Sequence, residues 1–372
     1  MQGVLVHEWI DVNGGSEKVL DAMAEAFPDT DIHCLWNDAP QRFPVRRVNE
    51  TWLSRTPLRR HKALALPLML FTWRRLRSQS ELDWMLVSSH LFAHHAFFPR
   101  NVGSPRKFVY VHTPARYIWV PDLDARGHHP LARIISPVLK AIDRRRANDR
   151  EVEFAANSHF VKERIAAAWG REAPVIYPPV DVMDIQSVPD WRTSLTHDER
   201  ALVDRLPKDF VLGASRFIPY KKLDLVIKAA DLAGVPAVIA GLGPCEEELR
   251  ALAAKAQVQV EFVISPSTNL LYALYQMSCA FIFPPIEDFG IMPVEAMAAG
   301  APVIANSQGG AAETVVHGVT GLLLSRLTPE SIAEAIGQIH EIDREAVRSR
   351  ARAFSRERFL EEIRAWVDGQ AG

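Results

Sequence analysis

The 372-residue chain has little cysteine: Cys34, Cys245 and Cys279 are odd in number and far apart. That excludes a disulfide scaffold and a cysteine-built metal site, and it fits a reduced, cytosolic protein. Long hydrophobic runs are also missing; no stretch approaches the roughly 18 uncharged apolar residues that span a bilayer. The opening "MQGVLVHEW" lacks a basic segment followed by an apolar one, so no signal peptide is expected. Repeats and low-complexity tracts are absent, and no Asp-x-Asp cluster stands where it would hold a divalent cation. A strong net charge is lacking too, at −2 overall, but the balance is uneven. Residues 1–182 carry 25 Lys/Arg against 20 Asp/Glu, and the remainder 18 against 25, which suggests two domains with different partners.

What is present alternates short apolar runs with helical patterns, the signature of parallel α/β sheets. "GVLVH" (3–7), "WMLVSS" (84–89), "KFVYVH" (107–112) and "EFAANS" (153–158) read as strands, and 14–27 as a helix. The Pro-Pro pair in "PVIYPPVD" (174–181) marks a domain boundary. A second series follows: strands 209–215, 236–241, 258–264, 279–284 and 302–305, and helices 223–234, 245–256, 269–278 and 293–300. The stretch 356–369 is an amphipathic helix beyond the second sheet. Two Rossmann-like domains with a cleft between them is the simplest architecture, and ligands in such sheets bind beyond the carboxyl ends of the strands.

Chemistry-bearing residues fall at those ends. "EDFGIMPVE" (287–295) follows a strand and enters a helix, so the N–H groups of Phe289, Gly290 and Ile291 would favour an anion or a polyhydroxyl ligand. Glu287 would accept hydrogen bonds from hydroxyls and Glu295 would reach a second part of the same ligand. The alternative makes Glu287 a solvated loop residue and Glu295 a complement to the helix dipole. Arg216 and Lys221 in "SRFIPYKKLD" are placed to hold a diphosphate, unless they are only a solvated basic loop. Gly241 and Gly243, like Gly14 and Gly15, permit close approach of a ligand to backbone, or mark tight turns.

Taken together, these stretches resemble the GT4 retaining glycosyltransferases of the GT-B fold, over nearly the whole chain. The Glu-x7-Glu motif carries the resemblance furthest, with "AMAAGAPVIA", "GGAAETV", "GVTGLLL", "GGSEKVL", "YVHTPARYIW" and "ANSHFVKERI" in the same order. The nearest subgroup is the O-antigen and polysaccharide mannosyltransferases. The resemblance implies an acceptor-binding domain over 1–182, a nucleotide-sugar-binding domain over 183–355, and a C-terminal helix, 356–372, packing back on the first. It implies that Glu287 and the amides of Phe289, Gly290 and Ile291 hold the donor sugar and Glu295 the ribose. Arg216 and Lys221 would stabilise the diphosphate, Gly14 and Gly15 would approach it, and His112 would lie near the donor sugar and the acceptor. Where the family commonly has Lys-Gly, this chain has Lys221-Lys222, and a one-residue shift would hand the role to Lys222. No cofactor is implied, and Arg plus Lys can balance the diphosphate without a metal.

On the acceptor side, residues 54–77 contain seven Lys/Arg and no acidic residue around an apolar centre. Arg59, Arg60, Arg74 and Arg75 would meet anionic headgroups, with "RRRANDR" (144–150) on the same face, unless the segment is a helical hairpin packed on its domain. Arg116 is a further acceptor or phosphate contact. The expected partners are a nucleotide-sugar, with GDP-mannose favoured, and a lipid-linked or oligosaccharide acceptor at the inner face of the plasma membrane. Nucleic acid is not expected, since no aromatic stacking platform accompanies the charges. The rivals are the same fold using UDP-glucose, UDP-galactose or UDP-GlcNAc, and a non-catalytic two-domain sugar- or anion-binding protein. An NAD-dependent oxidoreductase would need a Gly-x-Gly-x-x-Gly fingerprint that "VNGGSEKV" does not supply.

Overall fold

The computed structural model describes residues 2–12, 14–101, 105–120, 130–149 and 151–369. It divides into two compact units, residues 1–179 with 357–372, and residues 180–356. Arg150 of the basic run and residues 370–372 lie outside the described residues.

The first unit carries a six-stranded parallel sheet: β1 (Gly3–His7), β2 (Asp31–Cys34), β3 (Val48–Glu50), β4 (Trp84–Ser89), β5 (Arg106–Val111) and β6 (Val152–Ala156). Their order is β3-β2-β1-β4-β5-β6. β2 and β3 are absent from the sequence reading, being three or four residues long and mixed in polarity. β4 is buried along its whole length, which is why it reads as a continuous apolar run rather than an alternating one. One face of the sheet packs Leu5, Leu86, Phe108 and Tyr110 against Val19 and Met23 of the helix Gly15–Ala26 and against Phe359, Ile363 and Trp366 of the helix Arg356–Asp368. Each such side chain contributes on the order of 1.5–3 kcal/mol by leaving water, so the C-terminal helix is part of the first unit's core.

The second unit repeats the plan with β7 (Val211–Ala214), β8 (Ala237–Gly241), β9 (Val260–Ile264), β10 (Ala280–Phe283), β11 (Val303–Asn306) and β12 (Gly321–Leu324). The order is β12-β11-β10-β7-β8-β9, all parallel. β12 was not anticipated as a strand. In each sheet the chain reverses its direction of growth between the first and fourth strands of the series, β1 and β4 or β7 and β10. Such switch points open a crevice at the strands' carboxyl ends.

The basic segment 54–77 is not a hairpin. Two short 3₁₀ turns, Trp52–Arg55 and Pro57–Arg60, lead into one helix, Lys62–Trp73. That helix buries Ala65, Met69 and Trp73 in the first unit's core, while Leu64 and Phe71 remain 69% and 47% exposed. Among the described residues, no helix is long and apolar enough to cross a membrane.

Candidate active site

In the second unit, the loops after β7 and β10 flank the switch point and bring two site residues together. Lys221 Nζ donates to Glu287 Oε1 at 2.6 Å, with both side chains largely buried. Lys221 ends the 3₁₀ turn Pro219–Lys221, and Lys222 follows in the left-handed conformation at φ 52° and ψ 39°, capping the helix Leu223–Ala233. That backbone explains why a glycine would suit position 222: an L-residue there pays roughly 1–2 kcal/mol that glycine does not. It also distinguishes the two lysines, since Lys221 turns inward to the carboxylate and Lys222 is exposed. Lys222→Gly is expected to stabilise the protein by about 0.5–1 kcal/mol, after allowing for glycine's greater unfolded-state entropy. Urea unfolding checks this; a loss of similar size would show that the Lys222 side chain holds something in place.

Arg216, two residues past β7, is exposed and makes no ion pair among the described residues. Its loop is pinned by Phe217 N–H to Leu242 O at 2.9 Å and by Cys245 N–H to Phe217 O at 3.0 Å. Gly241, at φ 143°, stands so close that a Cβ would lie 1.8 Å from Ser215 O, and one on Gly243 would lie 2.5 Å from Phe217 O. The glycines expected to admit a ligand therefore admit the backbone that carries Arg216.

Past β10, the helix Ile291–Ala298 begins two residues earlier than the sequence suggests, because Gly290 takes the left-handed conformation (φ 89°) as its N-cap. Phe289 is buried, and no side chain caps the helix. Gly310 holds the loop from behind: its N–H donates to Glu287 O at 2.8 Å, and a Cβ there would come within 2.2 Å of Phe289 Cα. That support, from the loop after β11, carried no assigned role in the sequence reading.

Glu295 is the fifth residue of its helix and is only 6% exposed. Helix-dipole stabilisation fades beyond the first turn, and burying a carboxylate costs more than that effect returns. Burial raises the pKa values of the Tyr272 and Tyr275 phenols, and the charge of Glu295 raises both further. Tyr275 Oη is buried without a hydrogen-bond partner among the described residues.

In the first unit, His112 lies one residue past β5, half-buried, with Nε2 2.8 Å from Ser88 Oγ. Burial, with a smaller contribution from His7, lowers its pKa to about 3, so the ring is neutral at pH 7. Gly14 and Gly15 open the helix Gly15–Ala26, but the Glu17 carboxylate folds back over Gly14, within 2.0 Å of where a Cβ would be. That places negative charge where a phosphate was expected, and it suits a hydrogen-bond donor better. Arg116 starts the short helix Arg116–Trp119 and is partly buried.

The four arginines of the basic segment differ. Arg59 pairs with Asp38, Arg74 stacks over Phe97 at 4.3 Å, and Arg75 covers Phe71 at 3.7 Å. Arg60 is exposed.

A second polar cluster was not anticipated. His94 Nε2, His95 Nε2 and Asp143 Oδ1 lie together in the first unit's interior, at 2.9 and 3.0 Å. Asp143 Oδ2 accepts from the indole N–H of Trp119 and of Trp169, both at 2.7 Å. The carboxylate's lone pairs are thus already engaged by ring nitrogens on three elements.

Comparison with known proteins adds three findings. Residues 197–356 match the family model described as Glycosyl transferases group 1. The chain is 31% identical over 226 residues to the GDP-mannose-dependent alpha-(1-6)-phosphatidylinositol monomannoside mannosyltransferase of Mycobacterium tuberculosis (strain H37Rv), spanning 57% of this chain and 58% of that one. It is 28% identical over 210 residues to the alpha-1,3/1,6-mannosyltransferase alg-2 of Neurospora crassa, over 46% and 44% of the two chains. The chain thus spans less than two thirds of the length of these relatives. Anabaena Alr3699/HepE, solved with UDP-glucose, superimposes with a TM-score of 0.73 at 20% identity, covering 99% of this chain and all of that one. The fold is GT-B.

Proposed function

We propose that the chain is a retaining glycosyltransferase that moves a hexose from a nucleotide-sugar, GDP-mannose above others, to a lipid-linked or glycan acceptor in surface-polysaccharide synthesis. The observation that carries this reading is the pairing of Lys221 with Glu287 at one end of a loop and helix whose other end buries Glu295. A diphosphate has two charges to neutralise, and Lys221 and Arg216 supply two cations without a metal. Glu287 then accepts from sugar hydroxyls while the amides of Phe289, Gly290 and Ile291 face the sugar, and Glu295 takes the ribose. Cationic stabilisation of the leaving phosphate grows as the glycosidic bond breaks, so it lowers the barrier rather than only tightening binding. The named activity of the mycobacterial and fungal relatives supports mannose. EDTA should leave transfer unchanged.

Thermal shift against GDP, UDP, ADP and their sugars tests the reading. A ligand at 100 times its Kd adds about 2.7 kcal/mol of apparent stability, so the GDP series is expected to shift the midpoint most. A larger shift with UDP-sugars would transfer the assignment to glucose, galactose or GlcNAc. Glu295→Ala should weaken nucleotide affinity about tenfold, the worth of one charge-assisted hydrogen bond; unchanged affinity would remove Glu295 from the site.

On the acceptor side, we assign Arg60 and Arg75, beside exposed Leu64 and Phe71, to an anionic lipid surface at the cytoplasmic leaflet, with Arg116 nearer the acceptor. Each arginine near such a surface is worth about 1 kcal/mol. Arg60→Gln with Arg75→Gln should therefore lower partitioning onto phosphatidylserine-containing vesicles about thirtyfold at low salt. Sedimentation measures it, and unchanged partitioning would confine the segment to packing.

A further inference from the structure

The loop that carries Glu287 is held from two directions by residues outside the candidate site, all of them within the second unit. The first support is Gly309–Gly310, in the loop after β11. Gly310 N–H donates to Glu287 O at 2.8 Å. A Cβ on Gly310 would lie 2.2 Å from Phe289 Cα and 2.5 Å from Asp288 O, and one on Gly309, at φ 88°, would lie 2.8 Å from Glu287 O. Two stretches of main chain are therefore in direct contact, with no room for a methyl group between them. Carbon atoms pack best about 3.5–4.0 Å apart, so an alanine at position 310 drives the two backbones apart by about 1 Å or more.

The second support reaches the loop through Phe289. Its ring packs on that of Phe354, with centroids 5.8 Å apart and both side chains buried. The Arg350 guanidinium lies over Phe354, its carbon 4.9 Å from the ring centre. Arg350 also donates from Nε to Thr314 O at 3.0 Å and from Nη2 to Glu313 O at 2.7 Å. Those carbonyls belong to the end of the helix Ala311–Thr314, which starts directly after Gly310. Carbonyls at a helix end need donors from elsewhere, and the planar fork of an arginine supplies two at once. Arg350 thus ties the element that begins at Gly310 to the aromatic pair that anchors Phe289, and the ring of contacts around the loop closes.

Lys221 completes the arrangement. Its ammonium holds Glu287 Oε1 at 2.6 Å, while Gly310 holds Glu287 O. Side chain and main chain of one residue are fixed by different partners. A group aimed at a reacting centre requires this, since a misplacement of about 1 Å costs on the order of 100-fold in rate.

We propose that Gly310 and Arg350 are positioning residues for sugar transfer, clamping the 287–289 main chain so that the Glu287 carboxylate keeps its place against the donor sugar. The clamp stands on contacts within the second unit; its use in transfer rests on the role of Glu287 proposed above.

Release of GDP from GDP-mannose, measured beside GDP affinity, tests it. Gly310→Ala should lower kcat about 100-fold, with the GDP dissociation constant within about threefold of wild type. Arg350→Met, which loses both donors without touching a glycine, should lower kcat about tenfold, the worth of a charge-assisted hydrogen bond, again with GDP affinity held. A positioning role acts only through Glu287, so neither substitution should slow Glu287→Ala by more than about twofold. If Gly310→Ala slows Glu287→Ala as much as it slows wild type, the glycine supports something else and the proposal is overturned. Gly337→Ala, in the helix Pro329–Gln338 with nothing within 4 Å of the added methyl, controls for glycine replacement as such and should leave kcat unchanged. Amide hydrogen exchange supplies an arm without turnover. Gly310→Ala and Arg350→Met should both speed exchange at residues 287–291, while β7 and β10 keep wild-type protection, which also shows that the variants fold. Exchange unchanged in both variants would overturn the proposal as well. If exchange behaves as expected while Glu287→Ala transfers like wild type, the role of Glu287 fails and the clamp stands.

Discussion

Glu287→Ala should reduce sugar transfer by at least about 100-fold, the effect of deleting one group aimed at the reacting centre, while nucleotide affinity changes less than about threefold. The asymmetry follows from the ion pair. Lys221 Nζ holds Glu287 Oε1 at 2.6 Å, so removing the carboxylate frees the ammonium for the diphosphate even as the sugar loses its acceptor. Nucleotide binding is then maintained or slightly strengthened. Lys221→Ala runs the other way: it removes a cation from beside the phosphates and leaves the Glu287 carboxylate there, and it should weaken nucleotide binding by tenfold or more, since a charge-assisted contact is worth about 1.5–3 kcal/mol. Glu287→Gln separates charge from shape, because the amide still accepts one hydrogen bond. Parallel measurement of transfer rate and nucleotide dissociation constant decides the matter. Equal transfer by Glu287→Ala and wild type would reduce the pair to a structural contact.

The second large effect is on stability. Asp143→Ala should cost about 3–5 kcal/mol, because several buried donors lose their acceptor at about 1–3 kcal/mol each. It strands two indole N–H groups and the ring nitrogen of His95 in the unit's interior. For a unit of this size the thermal midpoint should fall by roughly 10 °C. Asp143→Asn, which keeps one acceptor oxygen, should fall between. A loss below about 1 kcal/mol would mean that the cluster is not what organises the interior.

The same cluster carries a pH dependence with a definite sign. Burial tends to raise the Asp143 pKa, but its interactions with His94 and His95 outweigh that and hold it below the ordinary carboxylate range. Its contribution is therefore fully present above the unfolded value of about 3.9 and is lost as pH falls through the folded one. His95 is lowered to about 3, chiefly by burial, and His33 to about 4 for the same reason. Each stays neutral in the fold while the unfolded chain takes up a proton below about pH 6.5, so stability declines from there toward acid. The slope approaches 1.4 kcal/mol per pH unit for each such histidine. Urea midpoints between pH 7 and 4.5 check it, and a flat profile would contradict it.

The strands that the sequence reveals are those whose burial makes them long and uniformly apolar, such as Trp84–Ser89. β2 and β3 escape because three or four residues of mixed polarity carry no period, and only the pairing of β2 with β1 and of β3 with β2 makes them strands. Candidate residues were legible where the chain itself places them at a strand's carboxyl end, as with Arg216, Glu287 and His112. Partnerships were not. Lys221 and Glu287 are 66 residues apart, and His7 and Ser88 are 81 apart; pairing across a parallel sheet leaves no local trace. The glycines at 241 and 243 show the reverse limit. Their φ values demand glycine, yet a sequence cannot say whether the close neighbour is a ligand or, as here, the protein's own backbone.

The most direct measurement is the release of nucleotide and sugar from GDP-mannose by the purified protein, followed by proton NMR of the anomeric region, with Glu287→Ala alongside. The account predicts that wild type releases GDP, that the first sugar product has the α configuration of the donor, and that Glu287→Ala is slower by at least about 100-fold. A β-configured first product, or equal release by the two proteins, would contradict it.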